Sequence, residues 1–181
     1  MKWIKIVLGS VLGLIILCTA ALAVAGMGAD ANRSVTSVVI RQKPAAIWPW
    51  LYKPDKVKQW VSWLVEVHEE GAGEPMPGRK AVWVMEDRNN NNMRMQMTGV
   101  VDSVEPNRKL AISISALEAF HGTNIYTLIE QPDGSTKLES DSRYNFDNGF
   151  AKFMTPLILW QARKKMAGDM DHLRTLVEAS R

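Results

Sequence analysis

The C-terminal stretch constrains everything ahead of it. From about Phe150, apolar side chains fall at Phe153, Met154, Leu157, Ile158, Met166, Met170, Leu173 and Val177. That spacing, mostly i, i+3, i+4, i+7 and broken at Gln161, predicts one long amphipathic helix to about Ala179. Pro156 marks a kink or the true start. A sheet that is apolar on one face needs a cover, and this is the only long helix the pattern offers.

Most of what precedes it reads as strands. SVTSVVIRQ is rich in β-branched residues and predicts a strand at about 35–42. Pro44 opens a short helix at its favoured first position, which Pro49 distorts, and Pro54-Asp55 opens a second to about Trp60. Strict alternation then returns at Trp63, Val65 and Val67, at Ala81, Trp83 and Met85, at Met93, Met95 and Met97, and at Leu110, Ile112 and Ile114. GAGEPMPG and the run Asn89–Asn92 are connections. Gln131-Pro-Asp-Gly134 separates a strand from Ile125 to Glu130 and another from Ser135 to Phe146. The order is strand, two short helices, about six antiparallel strands, long helix.

The front of the chain differs. Residues 6–26 carry no charge. As a helix they would reach about 31 Å, one bilayer core. An uncleaved anchor is the preferred reading. A signal peptide cut near Ala23-Val24-Ala25 is the alternative, although the apolar run is longer than such a segment needs. Lys2 and Lys5 hold the N-terminus in the cytoplasm, so the rest of the chain is exported to the periplasm or beyond. This divides the chain into a membrane segment at 1–27, a linker at 28–33 and a domain at 34–181.

Several chemistries find no support. Cys18 is the single cysteine, so an intramolecular disulfide and a cysteine metal site are excluded. His68, His121 and His172 are scattered and make no zinc spacing. Dinucleotide and hydrolase-elbow motifs are absent. The net charge of +3 is dispersed, with Arg163, Lys164 and Lys165 as its densest cluster, and no nucleic-acid motif accompanies it. No cofactor is expected.

One family has this order with these residues. The opening strand SVVIRQ leads into KPAAIWPWLYKPDKVKQW, with Ile47-Trp48, Lys53-Pro54-Asp55 and Trp60 at characteristic places. The Pro-Asp-Gly-Ser-Thr turn and the ending PLILWQARKKMAGDMDHLRTLVEAS complete the set. Residues 34–180 resemble the START-like (SRPBCC) superfamily, of the polyketide cyclase/dehydrase and lipid-transport type. The resemblance implies an α+β helix-grip fold: a curved antiparallel sheet of six to seven strands around the C-terminal helix, with an apolar cavity between them. Trp50 and Trp63 are additional to the family pattern.

The candidate ligand-binding residues follow from the apolar faces. Met93, Met95 and Met97 share one strand face, and methionine adapts to varied greasy partners. The alternative is plain core packing. Neighbouring strands would add Trp83, Ile112, Ile125 and Tyr144, and the long helix Phe150, Met154 and Ile158. Ser140 and Ser142 share parity with Tyr144 and would orient a ligand. Trp48 and Trp60 are expected to anchor the short helices, and Trp50 and Trp63 to line a mouth or face the membrane. The leading reading is a tethered module holding a hydrophobic small molecule or lipid. The alternatives are a cyclase- or dehydratase-type enzyme using Tyr144, Tyr126, His121 or Arg143, and an interaction protein whose cavity is incidental.

Overall fold

A computed structural model describes residues 30–180, apart from 72 and 88–90, with isolated residues between 3 and 28. Seven strands form a single curved sheet: β1 (Arg33–Ile40), β2 (Leu64–Glu69), β3 (Lys80–Asp87), β4 (Met93–Glu105), β5 (Lys109–Ala116), β6 (Phe120–Glu130) and β7 (Thr136–Phe146). Their spatial order is β1-β7-β6-β5-β4-β3-β2 and every pairing is antiparallel. The meander from β2 to β7 is therefore local, while β1 returns to pair with the last strand.

Between β1 and β2 run α1 (Pro44–Ile47), a 3-10 turn (Trp48–Leu51) and α2 (Pro54–Trp60). Both α-helices begin on proline, whose missing N–H costs nothing in the first turn. Pro49 ends α1 by the same chemistry, because it cannot continue the ladder. The long helix, α3, spans Gly149–Ala179 and keeps Pro156 inside it. Its start is set by Asn148, whose side chain accepts from the Ala151 amide at 2.7 Å.

The α+β helix-grip architecture is thus present, with strand and helix limits close to those read from the sequence. β1 begins at Arg33, and β6 extends back to Phe120. The Asp133 carboxylate accepts from the Ser135 amide and hydroxyl at 3.0 and 2.6 Å, and Gly134 takes φ +81 to close the β6–β7 turn. Irregularities at Val65 and Asp102 interrupt the ladders of β2 and β4 and add curvature.

The core lies on the concave face. Ile40, Leu110 and Leu138 from the sheet meet Ile47 and Trp60 from the short helices and Met170, Leu173 and Val177 from α3, all essentially without exposure. The second half of α3 packs along β1 and reaches α2, where Lys165 Nζ donates to Ser62 Oγ and Asp169 Oδ2, each at 2.7 Å. The apolar run at 6–26 lies largely outside the described residues. Among the described residues no helix is long and apolar enough to cross a membrane.

Candidate ligand cavity and polar seam

The concave face carries two zones with different chemistry. The first is an apolar cavity of about 60 Å³ between the short helices and β2–β5. Its floor is Trp83, Gly99, Val101, Leu110 and Ile112, and Leu51 and Val57 form its roof. Register explains the floor. Trp83 faces Met97, Gly99 faces Ile114 and Val101 faces Ile112, so their side chains share the concave side. Gly99 is glycine for a steric reason: a Cβ there would lie within 3 Å of three atoms of the Trp83 ring. The volume matches about two waters, well below the few hundred Å³ of a drug-sized site. A larger guest therefore requires movement of the walls.

The β2–β3 connection inserts Pro75, which is buried, into the cavity. Beside it Glu74 bridges the short helices, accepting from Trp48 Nε1 at 3.2 Å and from the Tyr52 hydroxyl at 3.0 Å. These two bonds latch the connection over the mouth. Burial and the Glu74 contact push the Tyr52 hydroxyl above its ordinary range. Glu69, Arg79 and Lys80 form a charged rim. Burial pushes the Glu69 carboxyl up, with Arg79 opposing.

The second zone is a polar seam under α3. Asn124 Oδ1 accepts from Ser140 Oγ at 3.0 Å and from Ser142 Oγ at 3.1 Å, all three residues being buried. Ser34 and Thr36 of β1 pair with Ser142 and Ser140, which extends the seam to the sheet edge. Thr36 Oγ1 is buried without a hydrogen-bond partner among the described residues. Tyr126 and Tyr144 flank the seam. Burial, reinforced by Tyr144, pushes the Tyr126 hydroxyl far above the ordinary tyrosine range, against the opposing effect of Asn124. Burial also raises Tyr144, with Ser142 opposing. Both phenols stay neutral at physiological pH. Trp60 packs edge-on against Tyr126 with ring centroids 6.3 Å apart and separates the two zones.

The residues singled out in the sequence divide as follows. Trp83 and Ile112 line the cavity, and Ser140, Ser142 and Tyr144 belong to the seam. Met93, Met95 and Met97 share the concave parity of Trp83, yet Met93 and Met95 are exposed and Met97 is half-buried, because β4 extends past the helices there. Ile125 pairs with Ala111 and Asp141 and so falls on the convex face, one residue out of phase with Asn124 and Tyr126. Phe150 is exposed and points outward from α3, while Met154 and Ile158 are half-buried on the same helix.

The tryptophan division needs one correction. Trp50 lines no mouth: it is buried in the core, its carbonyl accepts from Trp60 Nε1 at 2.9 Å, and Lys56 Nζ sits 4.3 Å from its ring centroid. The tight 3-10 turn is what rotates Trp50 inward beside Trp48. Trp63 is partly exposed and stacks under Lys165 Nζ at 4.6 Å. His121 and Arg143 are exposed on outward-facing strand positions, paired with Asp147 and Asp30. Among the described residues no cluster of His, Cys, Asp or Glu is arranged to hold a metal.

Gly99, Asn124 and Glu74 were missed in the sequence. An isolated glycine in a strand pattern signals close approach of another group, and an asparagine in phase with Tyr126 signals a buried polar contact. Nothing local marked Glu74.

Residues 32–178 match the family model described as polyketide cyclase / dehydrase and lipid transport. Solved structures of the same fold include protein CV1439 of Chromobacterium violaceum, at 13% identity and TM-score 0.65, covering 82% of this chain and 99% of that one. A Rhodobacter sphaeroides protein aligns at 19% identity and TM-score 0.66, covering 83% and 95%. DynU16, from the dynemicin biosynthetic locus, aligns at 16% identity and TM-score 0.59, covering 83% of this chain and 48% of its own. No curated protein matches the chain.

Proposed function

Because the chain belongs to the polyketide cyclase / dehydrase and lipid transport family, we propose that it is a membrane-tethered, exported binding module that holds a hydrophobic small molecule or lipid against the concave face of its sheet. The observation that carries this reading is the pairing of an apolar cavity floored by Trp83 and Ile112 with a latched cover, Glu74 on Trp48 and Tyr52. An apolar guest would displace Pro75 and the Trp83 ring and expand the cavity along β4 toward Met97. The polar seam offers Thr36, with its unpartnered hydroxyl, and the neutral phenols Tyr126 and Tyr144 to a polar end of the guest. The uncharged run 6–26 supports the tether and the export of the domain.

The test is titration of the full chain, in a non-lipid detergent, with a dansyl-labelled fatty acid, reading energy transfer from tryptophan. One-site saturable binding that is lost in Ile112→Trp, with the circular dichroism unchanged, supports the reading. Absence of saturable binding, or equal binding by the filled variant, overturns it.

A second reading, chemistry of the cyclase or dehydratase kind in the same place, draws support from Tyr126 and Tyr144. Held neutral by burial, they would serve as hydrogen-bonding groups and not as bases, and their raised pKa makes them poor acids.

A further inference from the structure

The first half of α3 is apolar on the wrong side for a helix that only grips a sheet. Leu159, Met170, Leu173 and Val177 point into the core. At 100° per residue, Phe150, Phe153, Leu157 and Trp160 fall on the opposite face. They are 76, 36, 38 and 59% exposed. In the second half the same outward face carries Asp171 and Thr175 instead. A polar outward face is the ordinary arrangement, so the apolar stripe is confined to one end of one helix.

Charge and chain geometry say what covers it. Residues 149–168 contain Lys152, Arg163, Lys164 and Lys165 and no carboxylate. Lys164 Nζ lies 5.9 Å from the Trp160 ring centroid, a cation beside an amphipathic ring. Of the cations, Lys165 is already paired with Asp169 at 2.7 Å; Glu118 and Asp147 lie at the β5–β6 turn and the β7–α3 junction, where Asp147 N donates to Ala119 O at 3.0 Å. The exposed Leu117 tops that same turn. The domain also begins here: Arg163 Nη2 donates to the Arg33 carbonyl at 3.4 Å. Six residues, 27–32, separate Arg33 from the uncharged run, a reach of at most about 20 Å. Turns closed by Ala31 N to Gly28 O and Arg33 N to Asp30 O shorten it further. Among the described residues of that run, Leu14, Leu17 and Val24 are themselves exposed.

We propose that the outward face of α3 from Phe150 to Lys164 docks on an anionic lipid bilayer, with the phenylalanines, Leu157 and Trp160 at the acyl boundary and Lys164 among the head groups. The geometric part of the inference rests on residues 6–26 lying in that bilayer. Docking presses the end of the domain holding the aromatic group Phe120, Tyr144 and Phe146 toward the membrane.

The experiment uses the full chain with Cys18→Ser, reconstituted in vesicles of phosphatidylcholine and phosphatidylglycerol at 3:1. A nitroxide is placed in turn at Leu157→Cys, Thr175→Cys and Leu14→Cys, and collision with oxygen and with a water-soluble nickel chelate is read by EPR. A label at 157 that is oxygen-rich and nickel-poor, with 175 aqueous and the contrast weakened in pure phosphatidylcholine, supports docking. A label at 157 as aqueous as 175 overturns it, whatever the label at 14 reports. If 14 is in the bilayer and 157 is not, the tether stands and docking falls. If 157 is in the bilayer and 14 is aqueous, docking stands and the tether falls. Spin–spin broadening at 157 that persists without lipid identifies a second copy as the cover and also overturns the proposal.

Discussion

The outer edge of the Trp83 indole packs against Gly99 on the neighbouring strand, so closely that no side chain fits between them. This one contact sets the size of the cavity floor. In Gly99→Ala the ring must lift into the cavity. Overpacking of this kind costs about 1–3 kcal/mol. The expected outcome is a lower melting temperature together with weakened dansyl fatty acid binding. Unchanged binding would show that the ring is not the floor.

Trp60 and Trp50 act as one unit, joined by the indole N–H to carbonyl bond. Trp60→Ala and Trp50→Ala are each expected to destabilise by about 3–5 kcal/mol, as buried aromatics do. Trp60→Phe, which keeps a ring and loses the hydrogen bond, leaves the Trp50 carbonyl buried and unpaired and costs about 1–3 kcal/mol. Urea denaturation of the three variants gives the comparison.

Glu74 is expected to control entry through the latch described above. Glu74→Ala removes both acceptors from an exposed residue, so the stability loss should be within about 1 kcal/mol. The rates of probe association and dissociation should both rise in stopped-flow traces. Rates equal to the parent would show that the β2–β3 connection is not a gate.

Asn124 holds Ser140 and Ser142 at once. Asn124→Leu leaves two buried hydroxyls without their acceptor, at about 1–3 kcal/mol each. Asn124→Asp keeps the acceptor and should recover much of the hydrogen bonding near neutral pH while introducing a buried charge. Thermal unfolding of the pair, with the triple variant carrying Ser140→Ala and Ser142→Ala, separates the effects.

Asp141 gives a pH dependence with a definite sign. Arg33 donates to both of its oxygens, at 2.9 and 2.8 Å, and this hydrogen bonding is the main reason its carboxyl titrates below the usual range. The stabilisation is fully present above the unfolded-state pKa of about 3.9 and is lost as pH falls through the lower folded value. Asp141→Asn should therefore differ from the parent at pH 7 and converge with it in strong acid, as read by chemical denaturation across pH 2–7.

The architecture was readable because periodicity is a strong signal: β3, β4 and β5 alternate cleanly, and the spacing in α3 is unbroken enough to fix its length. The site was less readable for two physical reasons. Parity assigns residues to a face within a strand, but the phase between strands depends on pairing, and Ile125 fell one residue out of phase. Parity also says nothing about what stands above a face, so Met93 and Met95 share the side of Trp83 yet remain exposed beyond the helices. Trp50 failed for a local reason, since a 3-10 turn rotates side chains by a different angle per residue than the α-helix does.

Pairing of the first strand with the last has a kinetic consequence. Arg33 and Arg143 are opposite one another, joining positions more than a hundred residues apart. The hairpins from β2 to β7 can zip up as neighbours, but the edge occupied by β1 closes only after a large loop has been brought together, and α3 packs along β1. Loop-closure entropy of that size slows folding. If the domain is threaded across a membrane behind the uncharged run, β1 is its first strand to emerge and waits, edge unpaired, until nearly the whole domain has followed. The charged residues at its start, Asp30 just ahead of it and Arg33 at its first position, then serve as safeguards against pairing with the wrong chain.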